Sequence, residues 1–247
     1  MTVLFISDLH LTPERPDVAR AFVRFMENRA IEADTLYILG DFFEYWVGDD
    51  AMEPFHHEVA TQLKCFTDQG KSLYLMPGNR DFAIGRQFLK ETDACWLPDP
   101  SLIHLNNEPV LLMHGDLLCT KDEQYLKYRK RIRHPLVLAL LRRMPLSYRR
   151  KLGRKIRENS KKAKVGKSLE IMDVTPEEVV RIMEQYNVKT LIHGHTHRPA
   201  VHPVSLAAGA GKRYVLGDWD QSGWEIESSE SHLVLRAFDI DNKTIQD

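Results

Sequence analysis

The chain has 247 residues, 43% of them hydrophobic, with 34 Lys and Arg against 35 Asp and Glu and a net charge of −1. That is enough apolar material for a full core in one α/β domain or two small ones, and it excludes a disordered chain. The three cysteines, Cys65, Cys95 and Cys119, are scattered and form no C-x-x-C pair, which argues against a disulfide framework and for reduced thiols.

Met1-Thr2-Val3-Leu4 carries no basic stretch and runs straight into apolar residues, which predicts a strand over Val3–Ile6 and no signal peptide. No apolar run approaches the roughly 20 residues of a spanning helix, so a cytosolic protein or one held at a membrane face is expected. Asp17–Asn28 places Val18, Phe22, Phe25 and Met26 on one helical face. Thr35–Leu39 reads as a strand, Glu58–Phe66 as part of a helix, Ser72–Met76 as a strand and Phe82–Lys90 as a helix. Strand alternating with helix predicts parallel βαβ units.

After Pro98 and Pro100 the spacing changes. Ser101–Leu105 and Val110–Met113, separated by Asn106-Asn107-Glu108-Pro109, predict a β-hairpin. From Lys121 to Ser168 no strand pattern appears, and His134-Pro135 and Met144-Pro145 give two helix starts with Pro near the first position. We read residues 121–167 as a helical insertion that caps a catalytic domain made of residues 1–120 and 168–247. Thr175-Pro176-Glu177-Glu178 has capping-box spacing and opens a helix to about Tyr186. Thr190–His193 is a strand, and the tail, through Arg213–Leu216, Trp224–Glu227 and Leu233–Ala237, alternates as antiparallel strands. The fold class is α/β.

Potential ligands recur where apolar strands end. Phe5-Ile6-Ser7-Asp8-Leu9-His10 carries a carboxylate and an imidazole two apart, and Ile38-Leu39-Gly40-Asp41 ends in an acid. Met76-Pro77-Gly78-Asn79-Arg80-Asp81 supplies an amide, and Leu112-Met113-His114-Gly115-Asp116 an imidazole. Leu191-Ile192-His193-Gly194-His195-Thr196-His197 adds an H-x-H pair. Side chains two apart on extended backbone point the same way, and ligands in open α/β sheets gather beyond the carboxyl ends of the strands. Asp8, His10, Asp41, Asn79, His114, His195 and His197 are too many for one catalytic ion. They suit two ions about 3.5–4 Å apart that share a carboxylate, and the mixed N/O donor set favours Mn, Fe or Zn over a thiolate or all-oxygen site. Asp81, Asp116 and Asp49 are candidates for orienting ligands from behind, and His193, ahead of the turn, for a structural role.

Arg80 narrows the chemistry. A guanidinium does not give up its proton and is a poor general acid, but it grips phosphate oxygens bidentately and holds charge in a transition state. It suits a phosphoanhydride, whose leaving group needs no proton. An ion pair with Asp81 is the structural alternative.

These five blocks resemble the calcineurin-like metallophosphoesterase superfamily, in which Asn is usually followed by His. The Asn79-Arg80-Asp81 departure, together with Gly40-Asp41-Phe42-Phe43-Glu44, Trp46-Val47-Gly48-Asp49-Asp50 and Val215-Leu216-Gly217-Asp218-Trp219, is similar to its UDP-2,3-diacylglucosamine pyrophosphatase family of lipid A synthesis. The likeness runs from Phe5 to Trp219. It implies an α/β/β/α sandwich with a helical cap and two Mn ions. Asp8, His10, Asp41 and His197 would hold one ion, and Asp41, Asn79, His114 and His195 the other. It implies hydrolysis by activated water attacking the α-phosphorus of UDP-2,3-diacylglucosamine, giving UMP and 2,3-diacylglucosamine 1-phosphate. Arg80, Asp41, Asn79 and His195 would then be catalytic, and Asn79, Arg80, Asp122, Ser160, Lys164, Lys167 and His195 would bind substrate.

Charge is segregated along the chain. Lys127 to Lys167 holds 17 of the 34 bases and one acid, Glu158, so the remainder carries 17 bases against 34 acids. A basic segment interleaved with apolar Leu136–Leu141 and Met144 suits an acyl-chain cleft or an anionic lipid surface, against plain packing between cap helices. With the family likeness it implies a peripheral protein on the cytoplasmic face of an inner membrane, with no obligate protein partner evident. A nuclease or dinucleotide phosphatase is the rival reading. Tyr125, Tyr128 and Tyr148 are the cap's only aromatics, few for stacking on nucleic acid. A non-catalytic binding module is the other rival, but it would be expected to have lost ligands.

Overall fold

The computed structural model describes residues 1–165, 173–229 and 232–240. Strand β1 (Val3–Ile6) is wholly buried, yet its two faces serve different cores. Leu4 and Ile6 pack with one apolar cluster, Val3 and Phe5 with another. Side chains alternate across a strand, so a continuous apolar run marks one covered on both faces. The pattern recurs in β2 (Thr35–Leu39) and β3 (Ser72–Met76). Leu36, Ile38, Leu73 and Leu75 join the first cluster, and Tyr37, Leu39 and Met76 join the second.

The first cluster is closed by helices. Helix α1 (Pro16–Asn28) contributes Val18, Ala21, Phe22, Phe25 and Met26, and α2 (Pro54–Thr67) contributes Val59, Ala60, Leu63 and Phe66. The predicted helix over Phe82–Lys90 is displaced: α3 spans Arg86–Thr92. Ile84 N–H donates to Asp81 O (3.0 Å) in a turn, and the Asp49 carboxylate accepts N–H bonds from Gly85, Gln87 and Phe88 at the helix start. That cap comes from a remote loop, so no local signal marks it.

Strands β1, β2 and β3 pair in parallel, as the βαβ pattern predicts. With β4 (Cys95–Trp96), β10 (Ser222–Ser229) and β11 (His232–Asp239) they form a sheet of order β11-β10-β1-β2-β3-β4. The second sheet runs β5-β6-β7-β9-β8, from β5 (Ser101–Leu105), β6 (Glu108–Met113), β7 (Thr190–His193), β8 (Ala200–Leu206) and β9 (Gly209–Val215). The β5–β6 hairpin turns on Asn106 and Asn107, both at positive φ (51° and 67°), so Glu108 and Pro109 already belong to the strand. The tail is not one antiparallel run. Strand β9 pairs in parallel with β7 in the second sheet, while β10 and β11 return to the first. The sequence reading omitted β8, an edge strand that carries Pro203 within it.

The two sheets face each other across the second cluster, where Phe5, Leu39 and Met76 meet Leu112, Ile192 and Leu216. Helix α7 (Pro176–Gln185) covers the outer face of the second sheet, with Val179, Ile182 and Met183 against Leu111, Met113 and Leu191. The layers are therefore α/β/β/α, the class the sequence predicts. No capping box forms at α7: the Thr175 hydroxyl accepts from Thr120 Oγ1 at 2.7 Å, and the Thr175 N–H donates to Leu118 O at 2.8 Å. Between β6 and α7 the chain passes through α4 (Glu123–Ile132), α5 (Pro135–Arg143) and α6 (Leu146–Val165).

Candidate metal centre

The predicted ligands lie in the turns after β1, β2, β3, β6 and β7, where the ends of two facing sheets meet. Backbone bonds stitch the first two turns together: Asp8 N–H to Gly40 O (3.0 Å), His10 N–H to Asp41 O (3.0 Å) and Leu11 N–H to Phe42 O (2.9 Å). Asp81 ties in the third, accepting from Gly78 N–H (2.7 Å) and Phe42 N–H (2.7 Å). Glycine is required where turns touch. A Cβ on Gly78 would overlap the Asp41 backbone and carboxylate, and one on Gly194 would overlap the Asp8 carboxylate and Ser7.

Two groups result. Asp8, His10 and His197 form one, and Asp41, His114 and His195 the other, each with candidate ligand atoms within 4.8 Å of one another. Asn79 joins the second group, its Oδ1 3.0 Å from His114 Nε2. Asp41 stands between them, Oδ1 3.7 Å from His114 Nε2 and Oδ2 4.0 Å from His10 Nε2.

The imidazoles are held from behind. His114 Nδ1 sits 3.0 Å from Leu39 O, His197 Nδ1 3.0 Å from Asp218 Oδ2, and His10 Nδ1 faces Glu44 Oε2 at 3.4 Å. Each outer contact leaves Nε2 turned inward, and at His114 and His197, where it is of hydrogen-bond length, it fixes the ligand's tautomer. His10 Nε2 and His197 Nε2 meet at 3.4 Å. Asp218 and Glu44 stand in motifs of the sequence, but nothing local marks them as partners of His197 and His10.

These residues fit a pair of cations. Asp8 Oδ1 is buried and accepts no well-formed hydrogen bond, its nearest counter-charge being His197 Nε2 at 3.4 Å, and a buried ionised oxygen left so is costly. Asp8, His10, Asp41, His195 and His197 all have φ between 50° and 69°, a conformation costing about 1–3 kcal/mol per non-glycine residue and concentrated at functional sites. Protonation tells the same story. Burial opposes ionisation of Asp8, but His197, His114 and His10 hold its carboxyl well below the ordinary range. Burial likewise opposes charge on His197, yet Asp218 and Asp8 raise its imidazole to about 10. A proton there supplies positive charge that the carboxylates demand, and a metal ion would replace it. His195, buried beside His114, is pushed down to about 3 and is neutral, as a ligand must be.

The amino-acid pattern of the calcineurin-like phosphoesterases matches residues 1–199. The chain belongs to the calcineurin-like phosphoesterase family. A UDP-2,3-diacylglucosamine hydrolase of Pseudomonas syringae pv. tomato is 51% identical over 243 residues, 98% of each chain. Another of that name, from Pseudomonas aeruginosa, is 55% identical over 227 residues, 92% of this chain and 95% of its own. A solved structure of Yfce, a phosphoesterase from E. coli, covers 99% of this chain and 96% of its own at 15% identity, with a TM-score of 0.47.

In this phosphoesterase Arg80 lies at the rim of the second group. Its N–H donates to Asp41 Oδ1 (2.9 Å), while its guanidinium is 3.6 Å from Asp41 Oδ2 and 2.8 Å from Glu44. The Asp81 carboxylate, the alternative partner, accepts instead from the backbone N–H groups of Gly78, Phe42 and Phe43. Asp49 caps α3 and bonds Trp46 Nε1 (3.0 Å), so it touches no candidate ligand directly. His193 is structural as expected: buried, with Nδ1 2.8 Å from Gly194 O and Nε2 3.2 Å from Arg213.

Helix α4 is pinned over the site by contacts the sequence does not announce. Arg129 reaches Asp116 (2.6 Å) and Asp99 (2.8 Å), Arg133 donates to Gly78 O (2.7 Å), and Tyr125 Oη donates to Asp116 (2.5 Å). The Tyr125 ring stacks 6.4 Å from that of His195. Asp122 caps α4, accepting from Tyr125 N–H (3.2 Å). Arg149, 5% exposed, anchors α6 to Val47 O (2.7 Å) and to Asp50. Of the other cap residues named for substrate, the side chains of Ser160 and Lys164, and Lys167 altogether, lie outside the described residues. Leu136 and Leu140 on α5 are 74% and 59% exposed, so core packing does not account for them.

Proposed function

We propose that this chain hydrolyses the pyrophosphate bond of UDP-2,3-diacylglucosamine, releasing UMP and 2,3-diacylglucosamine 1-phosphate in lipid A synthesis. The observation that carries the reading is Arg80, a guanidinium 3.6 Å from Asp41 at the junction of the two ligand groups, in a chain half identical to hydrolases of that name along nearly its whole length. Asp8, His10, Asp41 and His197 would hold one divalent ion and Asp41, Asn79, His114 and His195 the other, with Mn as the metal. When bound, such a pair supplies a water nucleophile at neutral pH and neutralises phosphoryl charge. Arg80 grips the non-bridging oxygens and holds charge that develops there. Attack at the α-phosphorus makes the sugar 1-phosphate the leaving group, which departs without a proton from Arg80. Asn79, Arg80, His195 and Asp122 would bind substrate with Ser160, Lys164 and Lys167 of the 121–167 cap.

A lipid substrate also accounts for α5, where exposed Leu136 and Leu140 share a helix with Arg142 and Arg143. No described helix is long and apolar enough to cross a membrane. We place the protein peripherally on the cytoplasmic face of the inner membrane, held by anionic headgroups. Flotation with anionic vesicles at low salt checks this, and failure to float refutes it.

The decisive experiment follows products from UDP-2,3-diacylglucosamine in detergent with Mn, in water enriched in heavy oxygen. Label in UMP, abolished in Asp41→Ala, supports the reading. Label in the lipid phosphate moves the attacked phosphorus. No turnover alongside activity on dinucleotides or nucleic acid replaces the substrate with that of the rival phosphoesterase.

A further inference from the structure

Glu44 belongs to neither ligand group, yet its carboxylate meets three functional neighbours from three parts of the chain. Oε2 is 2.8 Å from Arg80 Nη1 and 3.4 Å from His10 Nδ1, and Oε1 is 2.8 Å from Arg157 Nε on α6. The side chain is 11% exposed, against 21% for Arg80 and 33% for Arg157, so these are sheltered contacts rather than a solvated surface pair. Its backbone is fixed by the strip that places the ligands. Glu44 N–H donates to Leu11 O (3.1 Å), next to the Leu11–Phe43 bridge and the His10–Asp41 hydrogen bond. The Glu44 backbone is therefore in register with the His10 turn, and its side chain is aimed by the partners it meets.

Arg80 has two acids to choose between. Asp41 Oδ2 lies 3.6 Å from its Nε, and Glu44 holds its Nη1. Without Glu44 the guanidinium would be drawn onto Asp41, where it would compete with a cation and turn away from a phosphate. One carboxylate bridging two guanidiniums also offsets their repulsion and brings a core arginine beside a cap arginine.

We propose that Glu44 is a positioning residue that joins helix α6, through Arg157, to the catalytic Arg80 and to His10, so that seating of the cap sets the guanidinium and the first ion together. The kinetic part rests on the pyrophosphatase reading above; the metal part does not.

The test compares wild type, Glu44→Gln, Arg157→Met and the double variant. It measures kcat and KM on UDP-2,3-diacylglucosamine with Mn, and Mn binding by equilibrium dialysis without substrate. Glutamine keeps the shape of the side chain, and an unchanged thermal midpoint certifies the fold. Glu44→Gln should lower kcat about 10–100-fold and weaken one of two bound ions by a similar factor, the usual effect of removing a group behind a ligand. The double variant should fall within about two-fold of Glu44→Gln alone, because both changes break one linkage. Wild-type kcat and Mn affinity in Glu44→Gln, or losses that multiply independently in the double variant, overturn the proposal. If the wild type does not turn over the lipid, the functional reading fails and dialysis still decides: loss of one ion's affinity supports the linkage, and unchanged affinity refutes it.

Discussion

Arg129 is the residue whose loss should be felt farthest from where it sits. Its guanidinium, 14% exposed, lies 2.6 Å from Asp116, which is 0% exposed, and 2.8 Å from Asp99, which is 2% exposed. Arg129→Met keeps the bulk of the stem and strands two buried carboxylates. Removing one partner of a buried ion pair costs about 3–5 kcal/mol, because the remaining charge stays desolvated. We expect about 3 kcal/mol, the lower end, because Arg133 remains 3.6 Å from Asp116 and Tyr125 still donates to it. A loss of that size is a large fraction of a domain's about 5–15 kcal/mol.

The damage reaches the site through two connections. Asp99 accepts the His114 N–H at 3.2 Å, and α4 carries Tyr125, whose ring stacks on that of His195. The pH dependence has a definite sign. Burial opposes ionisation of Asp116, but His114, Arg129 and Arg133 hold its carboxyl well below the ordinary range. It therefore contributes stability above the carboxylate range that is lost as pH falls through its folded value. Asp99 is raised, by burial and then by the charge of Asp116, and is the one to take a proton first. Without Arg129 both carboxyls move up, so the deficit should be full at pH 8 and shrink toward pH 4. Urea unfolding of metal-free protein at several pH values measures this, with limited proteolysis reporting release of α4. A loss under about 0.5 kcal/mol at pH 8, the level of an exposed pair, would refute the reasoning.

Three further outcomes are expected. Asp218→Asn removes the carboxylate behind His197 and should weaken binding of one metal ion about 10–100-fold in equilibrium dialysis, leaving the other ion's affinity unchanged. Gly194→Ala should abolish hydrolytic activity and metal uptake, because the new methyl overlaps Asp8 and Ser7; a soluble variant with wild-type metal content would show that the turn yields. His193, buried beside Arg213, has its imidazole pushed down to about 3. The unfolded chain then takes up a proton that the folded one refuses below about pH 6.5. Metal-free protein should thus lose stability as pH falls from there toward 3, and His193→Gln should flatten that slope in denaturant melts.

The seven candidate ligands were legible because each follows an apolar strand, and a strand's alternation and end are local properties. The two-faced burial of β1, β2 and β3 shows in the same way, as unbroken apolar runs flanked by helical periods. Arg80 was visible as a departure from a local motif, and its chemistry follows from the guanidinium itself. What supports these residues was not legible. Glu44 behind His10, Asp218 behind His197 and Asp49 at the start of α3 are ordinary acids in their own segments, and each acquires a role from a partner far along the chain. The division of the tail between two sheets is of the same kind: β9 pairs with β7 and β10 with β1, a choice made by the strand edges available in the packed layers. Local periodicity records how much of a residue is buried, whereas the partner that buries it is a property of the packed layers.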